Sequence, residues 1–342
     1  MTADSPQFIL IGAGAIAESF YLPALRKSLP DIDRLHLVDT SQQRLEEMAQ
    51  RFALTSTGTD FRPFLGSAAG VIVAAPNHLH AEMVRTALEY DCHVLCEKPL
   101  ALHGEEARGL VELAVSRNLA LAVNNTRRLF PGYQLIAELV AAGEIGPIEE
   151  IDIEEGGPYA WPTVSGFYFR PGGERAYGVF MDRGSHVIDT VCWWLGTRPE
   201  LVSHRDDSRG GCETVTETHL AVPDGARVRV KLSWLTKLRN TGVIRGREGE
   251  IAFEAYDWQR FSVTRNGRSR KVRAPGTVRR FSDFAERLVD NFIAVVRGDA
   301  SPLIAGADVL DSIAIIEAGY EQRQAFPTPW LDWNGPGREE GC

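Results

Sequence analysis

The chain has 342 residues, a formal net charge of −9 at pH 7, and 44% hydrophobic against 24% charged residues. Its length suits two domains with a core in each, and its composition is that of a soluble globular protein. The negative charge argues against a nucleic-acid backbone or an anionic membrane as the main partner, and the absence of any run of about 18 apolar residues predicts no membrane span.

The first third of the chain alternates short apolar runs with helical patterns. Five runs rich in Val, Ile and Leu predict strands at residues 8–11, 34–38, 70–74, 93–96 and 120–123. Four periodic segments between them predict helices at residues 16–29, 42–52, 79–90 and 104–117. Strands that are nearly all apolar and alternate with helices indicate a parallel sheet covered on both faces. This part is therefore predicted to be a doubly wound α/β domain.

The pattern changes near Asn124. One helix is predicted over 132–142, closed by Gly143. Period-two alternation then predicts strands at 148–154, 200–204, 214–222, 227–234, 241–245, 250–254 and 259–264, and two helices follow at 282–297 and 307–324. Such a series indicates one largely antiparallel sheet. The short basic run 268–271 is predicted to be a solvated turn.

A glycine-rich turn, Gly12-Ala13-Gly14-Ala15-Ile16-Ala17, follows the first strand and opens a helix. Such a turn lets the backbone approach a pyrophosphate at a helix N-terminus, although similar turns also occur without a ligand. Asp39, just after the second strand, can bind a ribose 2′-hydroxyl, which favours NAD over NADP. Two alternatives stay open: Asp39 could instead cap the next helix in competition with Ser41, and Arg44 leaves room for a 2′-phosphate.

Two segments carry groups suited to proton transfer. Lys98 lies in Glu97-Lys98-Pro99 at the end of an apolar strand, and Asp182-Arg183-Gly184-Ser185-His186 follows much later. A lysine, an aspartate and a histidine can take a proton from a hydroxyl while a hydride leaves its carbon. Helical spacing would place Asp182, His186 and Asp189 on one face. By themselves these residues could equally be a solvated lysine, a helix cap and a structural helix histidine.

Seven segments together resemble the glucose–fructose oxidoreductase and inositol dehydrogenase (Gfo/Idh/MocA) family. They are Gly12–Ala17, Ala75-Pro76-Asn77-His78-Leu79-His80, His93-Val94-Leu95-Cys96-Glu97-Lys98-Pro99-Leu100, Arg127-Arg128-Leu129-Phe130-Pro131, Gly143-Glu144-Ile145-Gly146, Asp182-x-Gly184-x-His186-x-x-Asp189 and Trp194-Leu195-Gly196. One departure is Ala176-Tyr177-Gly178-Val179, where the family usually has two or three glycines. A tyrosine there would narrow or reshape the pocket.

The resemblance implies a Rossmann domain over 1–124 and an α+β domain over 125–342, built on an open, largely antiparallel sheet. It also implies NAD as cofactor and association into a dimer or tetramer through the exposed face of that sheet. Lys98, Asp182 and His186 would be the catalytic set. The predicted cofactor contacts are Gly12, Gly14, Ala15, Ile16, Asp39, Thr40, Arg44, Ala75, Pro76, Asn77, His80, Glu97 and Lys98.

On this interpretation His186 is the general base and Lys98 stabilises the charge on the reacting oxygen. Asp182 would hold the substrate or tune His186, and Asp189 would orient the ring. An aromatic stretch between 154 and 177 precedes Asp182, so the predicted substrate contacts are Lys98, Tyr159, Trp161, Tyr168, Arg170, Asp182 and His186. Five carboxylates between 149 and 155 would favour a cationic substrate such as an amino sugar if any of them lined the pocket.

The leading hypothesis is an NAD-dependent dehydrogenase acting on a secondary hydroxyl of a cyclic polyol, sugar or amino sugar, including aminoglycosides. The alternatives are a redox-neutral sugar enzyme with tightly held NAD (a glycosidase or a sugar–sugar oxidoreductase) and a nucleotide-sensing regulator. Cys92, His93, Cys96, His78 and His80 are ligand types, but their spacing does not support a metal site. Five cysteines without framework spacing predict a cytoplasmic location.

Overall fold

The structure is a computed structural model that describes residues 7–29, 31–162, 177–208, 211–223, 225–276 and 278–327. Its first six strands are β1 (Gln7–Ile11), β2 (Leu35–Val38), β3 (Ser56–Gly58), β4 (Ala68–Val73), β5 (His93–Glu97) and β6 (Leu121–Asn124). They form a parallel sheet in the order β3-β2-β1-β4-β5-β6. The strand order reverses between β1 and β4, where open α/β sheets form a ligand crevice at their carboxyl ends. The predicted doubly wound domain is confirmed.

Five helices accompany this sheet: α1 (Leu22–Ser28), α2 (Gln42–Phe52), α3 (Arg62–Leu65), α4 (His80–Glu89) and α5 (Gly104–Ser116). The first predicted helix begins with a π-helical turn, Ala17–Tyr21. The strand β3 and the helix α3 were not predicted. β3 is a three-residue, largely polar edge strand and α3 has four residues, so neither carries a periodic apolar pattern.

The second sheet contains β7 (Ile148–Gly156), β8 (Glu200–Asp206), β9 (Val215–Ala221), β10 (Arg227–Ser233), β11 (Thr241–Gly246), β12 (Gly249–Glu254), β13 (Arg260–Arg265), β14 (Arg268–Arg273) and β15 (Gln324–Ala325). Their order is β14-β13-β12-β11-β7-β10-β9-β8-β15. The pairs β7–β10 and β8–β15 are parallel and the others antiparallel, which confirms a largely antiparallel sheet.

The prediction of a solvated turn at 268–271 is wrong. These residues begin β14, which pairs with β13 across a tight turn in which Asn266 and Gly267 both have positive φ. An Asn-Gly turn of this kind matches the twist of a hairpin. The strand lies at the edge of the sheet and nearly all of its side chains are exposed, so its basic residues stay in solvent while the backbone pairs.

The second sheet has one buried and one open face. On β10, Val228, Val230 and Leu232 are buried, whereas the alternate residues Arg227 and Arg229 lie on the other side. Among the described residues, this part also contains the α-helices α6 (Pro131–Ala141), α7 (Ser185–Leu195), α8 (Ser282–Val296) and α9 (Leu310–Glu321). Association through the open face and the domain division at residue 124 stay predictions.

The two parts of the chain are in contact through α8, which packs against α1. The ring of Phe292 on α8 meets the ring of Phe8 on β1 at 6.2 Å in an edge-to-face arrangement. A helix from late in the chain therefore helps to cover the first sheet. None of the helices in the described part of the chain is both long and apolar enough to cross a membrane.

Candidate active site

The glycine-rich turn lies at the carboxyl end of β1. Gly12 has φ +103°, and a Cβ there would be 2.4 Å from the carbonyl oxygen of Ala74, so only glycine fits. At Gly14 a Cβ would meet nothing within 4 Å, and the half-buried Ala15 and Ile16 lead directly into the following helix. The turn therefore leaves open space for a phosphate group beside helix amides, as dinucleotide binding requires.

Asp39 holds this turn from the end of β2. Its carboxylate accepts hydrogen bonds from the backbone N–H of Ala13 at 2.7 Å and of Ser41 at 2.8 Å. Ser41, and not Asp39, caps α2, because its hydroxyl accepts from the N–H of Arg44. Thr40 is exposed next to Asp39. The carboxylate thus lies beside the glycine-rich turn, where it can meet a ribose.

Arg44 is committed to protein partners. Its Nε and Nη2 donate to the carbonyl oxygen of Ala13 at 3.1 and 2.9 Å, and its guanidinium forms ion pairs with Glu18 at 2.9 Å and Glu47 at 2.8 Å. A 2′-phosphate would have to compete with two carboxylates for this cation. The arrangement favours NAD over NADP.

The loop after β4 contributes a second wall of the predicted cofactor site. Ala75 and Pro76 are half-buried, and Asn77 is buried with no hydrogen-bond partner for its Nδ2 among the described residues. A buried amide donor without a partner is costly, and a bound polar group would satisfy it. With the open space at Gly14, this donor fits a dinucleotide.

His80 was predicted to contact the cofactor, but both of its ring nitrogens face backbone carbonyl oxygens of the protein. Its Nδ1 lies 2.7 Å from the carbonyl oxygen of Pro99, and its Nε2 lies 2.8 Å from that of Ala75. The buried ring thus links the loop after β4 to the segment that carries Lys98. Its role is to hold two loops of the site together.

Glu97 also points into the protein. Its carboxylate accepts from the hydroxyl of Tyr21 at 2.7 Å and from Nδ2 of Asn124 at 2.6 Å, and burial raises its pKa. The hydroxyl of Thr126 extends this network to Asn124. The side chain of Glu97 therefore ties the ends of β5 and β6 together, and the predicted contact of this residue with the cofactor stays a prediction.

Lys98 and Asp182 meet although 84 positions separate them in the chain. The Nζ of Lys98 donates to Oδ1 of Asp182 at 2.7 Å and to its carbonyl oxygen at 3.0 Å. Both side chains are partly exposed, at 13% for Lys98 and 24% for Asp182, so solvent reaches the pair. The predicted pairing of the two segments in space is present in the structure.

His186 lies in the same place with its ring held by Asn125. Its Nδ1 is 3.0 Å from Oδ1 of Asn125, and an amide oxygen can only accept, so Nδ1 carries the proton and Nε2 keeps its lone pair. Burial lowers the pKa of His186 well below its usual value, and the charges of Lys98 and Arg127 lower it further. The imidazole is therefore neutral at neutral pH and able to accept a proton.

The prediction that Asp189 orients this ring is wrong. Its carboxylate accepts two hydrogen bonds from Arg128, both at 2.9 Å. Arg128 also donates to the carbonyl oxygen of Asp308 and lies over the ring of Trp193. The residue that orients His186, Asn125, follows directly after β6, at the edge of the sheet where Lys98 follows β5. The position of Asn125 directly after a predicted strand of the same sheet could have indicated that it lies near Lys98.

Besides Lys98, Asp182 and His186, four substrate contacts were predicted, and two of them lie among the described residues. Burial raises the pKa of Tyr159 to about 12, and the charge of Asp182 nearby adds to the rise. Trp161 is 47% exposed. Tyr168 and Arg170 lie outside the described residues.

Each carboxylate of the acidic run has an arginine partner. The pairs are Glu149–Arg247, Glu150–Arg245, Asp152–Arg229, Glu154–Arg229, Glu154–Arg239 and Glu155–Arg127. Cross-strand register explains several of them, since Arg245 faces Glu150 on adjacent antiparallel strands. The run therefore offers a cationic substrate no unpaired carboxylate, and the charge basis for an amino sugar is lost.

Two residues close to Asp182 and Glu155 were not predicted. The hydroxyl of Tyr256 donates to the buried Glu155 at 3.0 Å, and Nη1 of Arg183 donates to Tyr256 at 3.3 Å. No carboxylate lies within ion-pair distance of Arg183 among the described residues. A cation without an ion-pair partner thus adjoins Asp182 in the chain. Within the same described part, no group of three His, Cys, Asp or Glu residues could hold a metal ion.

Two models of one protein family match the chain. The model described as oxidoreductase family, NAD-binding Rossmann fold, matches residues 7–125, and the GFO/IDH/MocA C-terminal domain matches residues 133–252. Among curated proteins, the 1,5-anhydro-D-fructose reductase of Ensifer adhaerens is 28% identical over 71% of this chain and 74% of its own length. The levoglucosan dehydrogenase of Pseudarthrobacter phenanthrenivorans is 29% identical over 54% of this chain and 47% of its own.

An uncharacterized oxidoreductase of Schizosaccharomyces pombe is 35% identical, but the match spans only 37% of this chain and 34% of that protein. Among solved structures, KijD10, a 3-ketoreductase from Actinomadura kijaniata in complex with NADP and TDP-benzene, superimposes with a TM-score of 0.78. It is 22% identical, with 94% of this chain and 100% of that one covered. A levoglucosan dehydrogenase in complex with NADH and levoglucosan also has a TM-score of 0.78 at 22% identity, over 93% of this chain and 96% of its own. At this identity the two structures bear on the fold alone.

Proposed function

The chain belongs to the Gfo/Idh/MocA family of oxidoreductases, with an NAD-binding Rossmann domain in its N-terminal part, and we propose that it transfers a hydride between a secondary hydroxyl of a cyclic polyol or sugar and NAD. The observation that carries this proposal is the meeting of Lys98, Asp182 and a neutral His186 at the carboxyl edge of the first sheet. Two curated relatives, an anhydrofructose reductase and a levoglucosan dehydrogenase, support a sugar as the substrate class.

His186 acts as the general base of the proposed oxidation. Its Nε2 accepts the hydroxyl proton, while Asn125 keeps the other ring nitrogen protonated and the ring in place. Bound NAD supplies the hydride acceptor. In the reverse direction the protonated His186 returns the proton to the oxygen of the ketone.

Lys98 stabilises the reacting oxygen. Its ammonium group donates a hydrogen bond to that oxygen as negative charge develops there, which lowers the energy of the transition state. Asp182 accepts a hydrogen bond from the Nζ of Lys98 at 2.7 Å and so fixes the direction of the lysine side chain. A substrate hydroxyl would take one of the two hydrogen bonds that Lys98 now gives to Asp182.

The charges around Lys98 and Asp182 favour a neutral ring over an amine-bearing one. Asp182 is paired with Lys98 and Glu155 with Arg127, whereas Arg183 has no ion-pair partner among the described residues. An ammonium group on the substrate would be repelled by Lys98 and Arg183 together. We therefore place cyclic polyols and neutral sugars first, and amino sugars and aminoglycosides last.

A charge-matched substrate panel tests the proposal. Purified protein is given NAD⁺ with neutral polyols and sugars, with carboxylate-bearing sugars and with amine-bearing sugars, and NADH is followed by its near-ultraviolet absorbance. We expect turnover with a neutral ring, and a kcat lower by roughly 10²–10⁴ in Lys98→Met. Activity confined to amine-bearing rings would contradict the charge argument. Product formation without NADH release would instead indicate the redox-neutral cycle with tightly held NAD.

A further inference from the structure

The catalytic aspartate lies on a π-helical turn, Phe180–Gly184, that runs directly into α7. The first backbone N–H groups of a helix have no partner within the helix. The first hydrogen bond within this helix runs from the N–H of Asp182 to the carbonyl oxygen of Gly178, at 3.0 Å. The N–H groups of residues 178 to 181 therefore have no partner within the helix. Four buried or half-buried donors thus need partners from elsewhere.

Two residues distant in the chain satisfy all four. Oε1 of Glu213 accepts from the N–H of Gly178 at 2.9 Å and of Phe180 at 3.0 Å. The backbone oxygen of Glu213 accepts from Val179 at 3.0 Å. The hydroxyl of Tyr320 accepts from the N–H of Met181 at 3.0 Å and itself donates to Glu213 Oε1 at 2.7 Å.

The close approach of Glu213 also explains one glycine. A Cβ on Gly178 would lie 1.9 Å from the carbonyl oxygen of Glu213. This distance is too short for any residue with a side chain. Gly178 is the one glycine of Ala176-Tyr177-Gly178-Val179, where the resemblance predicted two or three. It stands at the position that the contact with Glu213 requires.

We propose that Glu213 and Tyr320 are positioning residues, which hold the catalytic turn so that Asp182 and His186 face Lys98. This inference rests on the proposed function, since it assigns a role in that site. Neither residue is placed to touch the substrate: Glu213 precedes β9 and is fully buried, and Tyr320 lies near the end of α9. A carboxylate at the start of a helix also interacts favourably with the helix dipole.

The arrangement suits a conservative test. Oε1 of Glu213 takes three hydrogen bonds, while Oε2 has no partner among the described residues. Glu213→Gln keeps an oxygen acceptor for the turn and removes the ionisable carboxyl, whose pKa burial raises to about 7. Glu213→Ala removes the side-chain acceptor, and Tyr320→Phe removes both the acceptor of the Met181 N–H and the hydroxyl that donates to Glu213. Glu217→Gln on β9 is the matched control, because that partly exposed carboxylate pairs with His219 and Arg229, away from the turn.

The experiment measures steady-state kinetics with NAD⁺ together with amide hydrogen exchange of residues 178–186. A displacement of about 1 Å can cost roughly 10²-fold in rate, so we expect kcat to fall by about 10²-fold in Glu213→Ala, by less in Glu213→Gln and by several-fold in Tyr320→Phe. The KM for NAD⁺ should stay constant, the amides of the turn should exchange faster in the same order, and Glu217→Gln should match the unmodified protein.

Unchanged kcat and unchanged exchange in Glu213→Gln and Tyr320→Phe would overturn the inference, even if Glu213→Ala fails to fold. Faster exchange with normal kcat would also overturn it, because the two residues would then stabilise the turn without positioning the catalytic groups. If the unmodified protein oxidises no substrate, the proposed function fails by itself, and the exchange data alone decide whether Glu213 and Tyr320 hold the turn.

Discussion

Lys98 reaches the site from the first sheet, whereas Asp182 and His186 reach it from a helical turn in the second part of the chain. Lys98 follows β5, an inner strand paired with parallel neighbours on both sides, so the backbone hydrogen bonds of the sheet set its position. The turn that carries Asp182 has no such neighbours, and its first N–H groups depend on Glu213 and Tyr320.

This difference has a consequence for function. A strand end held by a sheet tolerates side-chain changes nearby, because backbone pairing remains. A turn whose first N–H groups depend largely on two side chains should shift when either side chain is changed. We call the part of the site on the first sheet, with the glycine-rich turn and Lys98, the cofactor half, and the part with Asp182 and His186 the acid–base half. We expect the geometry of the cofactor half to tolerate substitutions. The geometry of the acid–base half should be sensitive to substitutions far from the substrate.

The largest effects are expected at the point where the two halves meet. His186→Ala removes the base and Lys98→Met removes the charge that stabilises the reacting oxygen, so each should lower kcat by roughly 10²–10⁴. NAD⁺ binding, measured by titration, should change little. His219→Ala, a partly exposed histidine on β9, is the control and should leave kcat unchanged. Near-normal turnover in His186→Ala would remove this histidine from the mechanism.

A smaller effect is expected from Asp39 in the cofactor half. Its carboxylate repels a 2′-phosphate, so Asp39→Asn should narrow the preference for NAD⁺ over NADP⁺ by about tenfold, an electrostatic difference near 1.4 kcal/mol. The amide oxygen can still accept a hydrogen bond from Ala13, so the turn should persist. Dissociation constants of both cofactors check this, with the exposed Asp60→Asn as control. Tighter binding of NADP⁺ by the unmodified protein would contradict the assigned role of Asp39.

The smallest of the expected effects is a shift in the pH dependence of kcat/KM. The pKa of His186 is lowered by burial and by the charges of Lys98 and Arg127, so the neutral, active base persists as pH falls. The acid limb of kcat/KM for oxidation should therefore lie below pH 6.5, the usual value for histidine. In Lys98→Met one lowering charge is absent, and the limb should move to higher pH. A limb at or above 6.5 in the unmodified protein would show that His186 is not the titrating base.

Some features could be predicted from the sequence because they are local. The strands of the first sheet are nearly all apolar, since both faces are covered, and the glycine-rich turn needs a residue without a side chain at Gly12. Lys98, Asp182 and His186 were found from short motifs for the same reason. The edge elements β3 and β14 were missed because edge strands are short or carry charge, so they lack an apolar pattern.

Other features depend on which residues meet across long distances, and only the tertiary structure decided them. The charges of the acidic run are neutralised by arginines that the strand register places opposite, such as Arg245 opposite Glu150. Asn125 lies 61 positions from His186, and Glu213 lies 35 from Gly178. The sequence by itself determined which chemical groups are present and which elements carry them. Their partners were decided by tertiary packing, because a hydrogen bond or an ion pair depends on distance in space and not on separation along the chain.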